Sequence, residues 1–429
     1  MNIYIKSFFG IIILGSISSL HAQIIDTAFA KQPLDYPTYL SLVGKNNLAY
    51  SAEKFNLNIA DAEIQTAGIF PNPELGFGWA DNGQRRMNMG YGFNSELTWT
   101  LELGGKRKAR IDVAKNQKEL ARLLLDDYFR NLRADATLAF LSGIQNRLML
   151  EVQSSSYQQM KQLAESDNIR FKLGAISEVD SRQSKLEAGT MLNDVFAAEA
   201  KWKASLSNLS LLLGRSQNDA FVDPKGDFSD FDRDFSLQEL ILTAQNNRSD
   251  LKVALQNKSI AGSVLKLAKA NRTIDLGLSM GVNYTSYVRN AIAPTPSTTG
   301  INVGISIPLK FSNNRPGELL AAKYTLQQSE QQYKQTEMEI QSEVTQAYFT
   351  YIVAQKQVKQ FNTGLLKEAK TILDGKIYSY KRGESSILEL LTAQKTYNEV
   401  KQNYHEVNYE FAAALVELER TAGIWDINF

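Results

Sequence analysis

The chain has 429 residues, with 47 Lys and Arg against 46 Asp and Glu and a formal charge of +1, so no global field recruits nucleic acid or an acidic partner. It contains no cysteine, which excludes disulfides, thiolate metal sites and thiol nucleophiles. With only two histidines, His21 and His405, a histidine-rich transition-metal site cannot be built within one chain.

Lys6 precedes the apolar run Phe8–Leu14, and small residues lead to Leu20-His21-Ala22. This reads as a secretory signal over residues 1–22, cleaved after Ala22, and its apolar stretch is short for a membrane span. From Tyr36 to Gln65 apolar residues recur at helical spacing (Leu40, Val43, Leu48, Phe55, Ile59, Ile64), until Pro71 and Pro73 stop the helix. Glu74–Ala80 then alternates, with Leu75, Phe77 and Trp79 on one face. After the polar turn Asp81–Arg86, Tyr91–Leu101 alternates again, with Tyr91, Phe93, Leu97, Trp99 and Leu101 opposite Gly92, Asn94, Glu96, Thr98 and Thr100. Period-two alternation predicts two half-apolar strands, a β-hairpin over 74–102.

At Gly104-Gly105 the pattern changes, and a helix opening with Lys106, Arg107, Lys108 and Arg110 continues without proline to about Arg170. Some 65 helical residues span roughly 100 Å. A turn over 171–177 leads to a returning helix, Glu178–Leu213. Residues 214–235 are rich in Asp, Phe and Gly. Their aspartates (Asp219, Asp223, Asp227, Asp230, Asp232, Asp234) lack calcium-loop spacing, and the segment reads as a solvated connector.

The plan of 23–213 then repeats over 236–429. Ile59-Ala60 aligns with Ile260-Ala261, Glu74-Leu75-Gly76 with Asp275-Leu276-Gly277, and Ala114-Lys115 with Ala322-Lys323. Gly174 and Ser177 align with Gly383 and Ser386. A second hairpin is predicted over 274–309, with strands Ile274–Tyr284 and Ile301–Leu309. A second uninterrupted helix is predicted from Pro316 to Tyr380, then a turn over 381–385 and a final helix ending at Gly423.

Each predicted strand has the length of a tilted membrane strand, and Trp79, Trp99, Tyr91 and Tyr284 are types that favour membrane interfaces. Four strands cannot close a barrel, and an open edge in lipid leaves backbone groups without partners. Identical chains are therefore expected to lend four strands each to one barrel, and three copies give twelve. The helix faces are rich in Ala, Gln, Ser and Thr, which suits a thin-walled, hydrated tube. A rod-like coiled coil would carry a sustained heptad, and none is present.

This doubled plan of helix, hairpin, long helix, turn and helix resembles the TolC-type outer-membrane efflux channels over essentially the whole mature chain. The motif Leu101-Glu102-Leu103-Gly104-Gly105-Lys106-Arg107 resembles the CzcC-like subgroup that serves heavy-metal and related cation exporters. The resemblance implies an all-α periplasmic helical barrel joined to a membrane β-barrel, in a homotrimer with four strands per protomer. It implies an outer-membrane location with a long periplasmic extension, and partnership with a periplasmic adaptor and an inner-membrane pump of the RND type. No enzymatic activity, cofactor, resident metal or nucleic-acid partner is implied. Without cysteine no lipid anchor is expected. Drug efflux and type I protein secretion use ducts of the same fold, so the substrate stays open; from another class, a periplasmic coiled-coil scaffold or adhesin is the rival.

The resemblance also nominates residues. Gly174, Ser177, Gly383 and Ser386 match helical tips that meet the adaptor, a role compatible with simple turn formation and helix capping. Glu389 matches an acid that rings the closed periplasmic entrance, with Glu178 and Asp180 as the acids of the first half. Thr392 stands where relatives place a second aspartate. Tyr380 matches a tyrosine that latches the closed state. Gly104, Gly105, Lys106, Arg107 and Pro308 mark the barrel-to-tunnel junction, where the basic cluster meets anionic lipid headgroups or forms an ordinary solvated first turn.

Overall fold

The computed structural model of the protein describes residues 31–81, 89–216, 220–311 and 314–427. The signal segment 1–22, most of the hairpin turn at 82–86, and Asp219 lie outside them. The first repeat comprises α1 (Tyr36–Asn46), α2 (Leu48–Ala67), β2 (Glu74–Asp81), β3 (Tyr91–Leu101), α3 (Lys106–Lys172) and α4 (Glu178–Leu212). The second comprises α5 (Leu237–Asn247), α6 (Ser249–Ala270), β5 (Leu276–Thr285), β6 (Thr298–Ser306), α7 (Pro316–Gln360), α8 (Leu366–Lys381) and α9 (Ile387–Ala422). Short strands β1 (Lys31–Leu34) and β4 (Phe221–Pro224) pair in parallel beside the helices.

The four longer strands form one antiparallel sheet in the order β2-β3-β5-β6. Its two hairpins are joined by β3 and β5, which pair from Gly92↔Thr285 to Leu101↔Leu276. The 67 residues of α3 span about 100 Å, since each helical residue rises 1.5 Å. The principal core lies midway along the helices, where Tyr36, Tyr39, Phe140, Leu141, Ile144, Leu209, Tyr351, Phe411 and Leu415 are buried together. Around it, α3 packs against α4, α6, α2 and α9, and α7 against α6, α9 and α5.

Four features depart from the sequence reading. The helix expected over 36–65 is two helices. Asn47 adopts an extended ψ of 119° between them, and its side-chain oxygen accepts the Tyr50 N–H at 2.9 Å to start α2. The second repeat has the same break at Arg248. The stretch 316–380 is also not one helix. Residues Phe361–Leu365 interrupt it, with Gly364 at φ 118°, outside the helical range and open chiefly to glycine. Asn, Thr and Gly in succession give this turn poor helix propensity.

The segment 214–235 is no solvated connector. Val222 and Phe231 are buried, the Arg233 N–H donates to the Tyr351 hydroxyl at 2.7 Å, and that hydroxyl donates to a carbonyl of the same segment, with Phe231 O and Arg233 O each 3.0 Å away. Apolar residues interleaved with the aspartates point inward while several acids remain outside. Finally, β6 stops at Ser306 and β5 begins at Leu276, so the second hairpin is shorter than 274–309. Pro308 has no N–H to continue the ladder toward β5.

The two helix breaks do the same work in each repeat. The Asn47 amide donates to Leu212 O (3.0 Å) at the end of α4, and the Arg248 guanidinium donates to Thr421 O (3.1 Å) at the end of α9. Arg248 also binds Asp250 and Glu343. Asn47→Ala removes a cap and a cross-helix bond together and is expected to cost roughly 1–2 kcal/mol. A lower unfolding temperature of the purified protein in detergent would register that loss; an unchanged one would deny the contact its role.

Near the same level Glu419 is fully buried, its Oε2 accepting the Asp426 N–H at 3.0 Å. Burial raises its carboxyl to about 8, against an ordinary 4.5. The folded state therefore keeps a proton that the unfolded chain releases, so this contribution to stability is present below the unfolded value and is lost as pH rises toward about 8. The unfolding temperature is expected to fall between about pH 5 and pH 9, and Glu419→Gln, neutral throughout, should flatten that fall. Parallel slopes for the two proteins would refute the assignment.

Candidate functional site

Three regions carry the residues singled out by the sequence: the sheet, the junction where strands become helices, and the two helical tips.

The sheet has one apolar and one polar face. Leu75, Phe77, Trp79, Leu97, Trp99, Met280, Val282, Ile301, Val303 and Ile305 are exposed on the apolar side. The four strands of this sheet contain no Lys, Arg or His. On the polar side glycines stand directly opposite polar residues of the neighbouring strand: Gly78↔Asn94, Asn283↔Gly300 and Ser279↔Gly304. A Cβ at Gly78, Gly300 or Gly304 would overlap the side chain opposite, so these side chains lie flat over the backbone gap. The glycine content of this face is thereby explained by packing, and an apolar band backed by a hydrated surface is the arrangement of a transmembrane β-barrel wall.

At the junction the Leu101–Arg107 motif is a structural joint. Asp275, just before β5, accepts the Leu103 N–H at 3.2 Å and the Lys106 ammonium at 2.5 Å. Lys106 is buried, not turned toward lipid headgroups. Arg107 donates through Nε to Gly68 O at 2.6 Å, and its guanidinium lies 4.4 Å from the Phe70 ring centroid. Arg110 pairs with Glu102 and reaches Ile69 O. Three of the four basic residues are thus committed to internal partners. In the second repeat Lys310, which the sequence reading did not nominate, donates to the carbonyls of Asn271, Arg272 and Thr273 at 3.0–3.1 Å and so closes the C-terminus of α6. Pro308 stands two residues before it.

Gly104 and Gly105 both have φ 71°, but their surroundings differ. A Cβ on Gly104 would overlap Thr273, whereas nothing lies within 4 Å of one on Gly105.

The tips are built alike. Gly174 (φ 72°) and Gly383 (φ 77°) form the turns. Ser177 Oγ accepts the Asp180 N–H at 3.1 Å and caps α4; Ser386 Oγ accepts the Glu389 N–H at 3.3 Å and caps α9. At both tips the acid at the third helical position in turn accepts the serine hydroxyl, Asp180 at 2.7 Å and Glu389 at 3.4 Å. The acids named from the sequence have local partners: Glu178 with Arg182 at 2.5 Å, Asp180 with the Ser177 hydroxyl at 2.7 Å, and Glu389 with Lys376 of α8 at 2.5 Å. The Lys376 hydrogen bond holds the Glu389 carboxyl below its ordinary range. Thr392 donates to Leu388 O within its own helix.

Tyr380 is buried and donates to Asp167 of α3 at 3.0 Å, while Arg170 lies 3.6 Å from that carboxylate and stacks 4.9 Å from the tyrosine ring centroid. Burial raises the Asp167 carboxyl above its ordinary value, opposed by the Tyr380 and Ser184 hydroxyls and by Arg170. Asp167 was not nominated from the sequence. Its signal was there: an acid continuing the buried stripe Val152, Ser156, Met160 of α3. Among the described residues no group of three or more His, Cys, Asp or Glu side chains could hold a metal ion, and no helix is long and apolar enough to cross a membrane.

The junction gives a direct comparison. Gly104→Ala combines an unfavourable φ with overlap on Thr273, while Gly105→Ala meets only the backbone cost of roughly 1–2 kcal/mol. Recovery of folded protein from membrane fractions is expected to fall much further for Gly104→Ala than for Gly105→Ala; equal losses would remove Thr273 from the account.

A family profile described as "Outer membrane efflux protein" matches residues 40–215 and 240–424, one stretch in each repeat. The cobalt-zinc-cadmium resistance protein CzcC of Cupriavidus metallidurans is 21% identical over 394 residues, 92% of this chain and 91% of that protein. The fold matches a crystal structure of CusC (TM-score 0.73, 17% identity, 91% of this chain and 92% of that one). It matches equally the CmeC outer membrane channel of Campylobacter jejuni (TM-score 0.73, 14% identity, 90% and 85%). A half-apolar antiparallel sheet continuing into a 100 Å helix, and a family match to both repeats, lead to one conclusion: the chain belongs to the outer membrane efflux protein family.

Proposed function

We propose that the protein is the outer-membrane channel of a tripartite efflux system, a homotrimeric passive duct with a twelve-stranded barrel in lipid and a helical tunnel in the periplasm. The observation that carries this reading is the sheet, with four strands, an apolar face and two open edges, continuous with helices too long for any globular core. Such edges in a bilayer require closure by further strands. An inner-membrane pump of the RND type supplies the energy, and a periplasmic adaptor bridges to the tips at Gly174, Ser177, Gly383 and Ser386. The protein reaches the outer membrane by way of a cleaved signal over residues 1–22.

The cargo is proposed to be heavy-metal or related cations. The Leu101–Arg107 motif and the cation-resistance relative support this assignment. Since the motif's side chains are engaged in the joint, it marks descent and touches no cargo. Loss of the protein from its native cell is expected to raise cobalt, zinc or cadmium accumulation and sensitivity. Sensitivity confined to hydrophobic drugs, or failed export of a protein, would assign the duct to another cargo.

The tips are proposed to form the periplasmic gate. Three copies of Glu389 around an axis would gather cations at the entrance, and Tyr380 holds α8 against α3 through Asp167. In planar bilayers Glu389→Gln is expected to reduce cation preference, and Tyr380→Phe to raise conductance. If Glu389→Gln and Glu389→Ala change neither conductance nor selectivity, the gate does not involve Glu389.

A further inference from the structure

The long helices of the two repeats keep step for most of their length. Ala114 and Ala322, Leu132 and Ile340, Ala136 and Val344, and Gly143 and Tyr351 are matched pairs, buried in both repeats and separated by one constant interval of sequence. Further along, that interval is longer by one residue. Met160 matches Ala369, again both buried, and the tip residues Gly174 and Ser177 match Gly383 and Ser386. The second repeat therefore holds one residue more than the first between Tyr351 and Ala369, the interval in which Phe361–Leu365 interrupts its helix. Neither helix alone reveals the addition; the two together do.

We propose that Gly364 is the added residue, looped out of the second long helix by the wide turn Phe361–Leu365, and that this turn is the joint at which α8 parts from α3 when the periplasmic gate opens. The proposal rests on the gate reading above and adds to it the place where the protomer yields.

Helical phase supports the first half. One residue added to an unbroken α-helix rotates everything beyond it by about 100°. Leu373 and Tyr380 would then leave the face on which they pack. Instead both are buried with Leu390 of α9, Leu163 of α3 lies against them, and Tyr380 reaches Asp167. A single wide turn absorbs the extra residue and lets the helix resume in phase.

Packing supports the second half. Gly364 takes φ 118°, and a Cβ there would meet nothing within 4 Å, so the glycine serves its backbone conformation and fills no close contact. No residue of the turn is buried. The Thr363 hydroxyl donates to Gln360 O at 2.6 Å, and the Phe361 ring stands 6.1 Å from that of Tyr404 in α9. The last buried residue of α7 is Gln355 and the first of α8 is Ala369, so the turn lies between the principal core and the cluster at the tip. In α3 the matched stretch has no such gap, because Val152, Ser156 and Met160 carry burial through it. A sparsely packed turn between two packed bodies is where a structure opens at least cost.

Deleting Gly364 from the full chain should join α7 and α8 into one helix with Tyr380 still in phase. The unfolding temperature of the purified protein in detergent is expected to hold or rise. Deleting Ser155, an exposed residue at the matched place in unbroken α3, should lower it by several degrees, because Met160 and Asp167 are then rotated out of place. A Gly364 deletion that fails to fold, or that loses as much as the Ser155 deletion, would overturn the insertion. The joint is tested by conductance in planar bilayers. The rise expected for Tyr380→Phe should shrink roughly twofold or more when Gly364 is deleted as well. An equal rise with and without Gly364 would overturn the joint while leaving the gate in place. No rise for Tyr380→Phe in the undeleted chain would bring down the gate reading itself, and the joint's part in opening with it.

Discussion

One carboxylate sits where membrane wall becomes tunnel wall. Asp275 belongs to the second repeat, yet it accepts the backbone of Leu103 and the ammonium of Lys106, both from the first. A strand surrounded by lipid must satisfy its polar groups sideways, along a ladder; a helix satisfies them along its own axis. At the change from one mode to the other, some donors belong to neither. Asp275 takes the Leu103 donor and neutralises the lysine that opens α3, while Lys310 takes the mirror role by closing the carbonyls at the end of α6. The orientation of 100 Å of helix relative to the sheet depends on these few contacts, which explains why the residues between Glu102 and Arg110 are so fully engaged.

The internal repeat organises the rest. Asn47 and Arg248 occupy matching places but differ in size and charge, and each fastens a helix break to the end of the last helix of its own repeat. The fastening survived while its chemistry changed. A neutral amide suffices at Leu212, whereas the buried guanidinium at Thr421 brings with it Asp250 and Glu343 as counter-charges, as burial of a cation demands. The same divergence separates the two strand-to-helix crossings, one a pair of glycines and the other a proline followed by a lysine.

Much of this architecture is legible in the sequence because its signals are long-range and periodic. Alternation over ten residues survives any local irregularity, and so does a proline-free helical run of sixty. What the sequence conceals is local and three-dimensional. Nothing in the periodicity of 36–65 marks Asn47 as a break, because the apolar spacing continues across it. No proline follows Pro316 before Tyr380, so nothing in that run marks Gly364 as a break. Val222 and Phe231 were hidden among aspartates whose charge suggested water on all sides. The tips are a mixed case: Ser177 and Ser386 are readable as caps, and the tyrosine at 380 was singled out, but its partner Asp167 lies more than two hundred residues away in sequence and could be paired with it only by folding.

The break at Gly364 gives the two repeats unequal mechanics. In the first, α3 runs unbroken to its tip and behaves as a stiff strut. In the second, roughly twenty residues separate Gly364 from Gly383, a lever of about 30 Å at helical rise. A swivel of about 10° at the joint carries the far end through roughly 5 Å, enough to separate Tyr380 from Asp167 while α3 stays still.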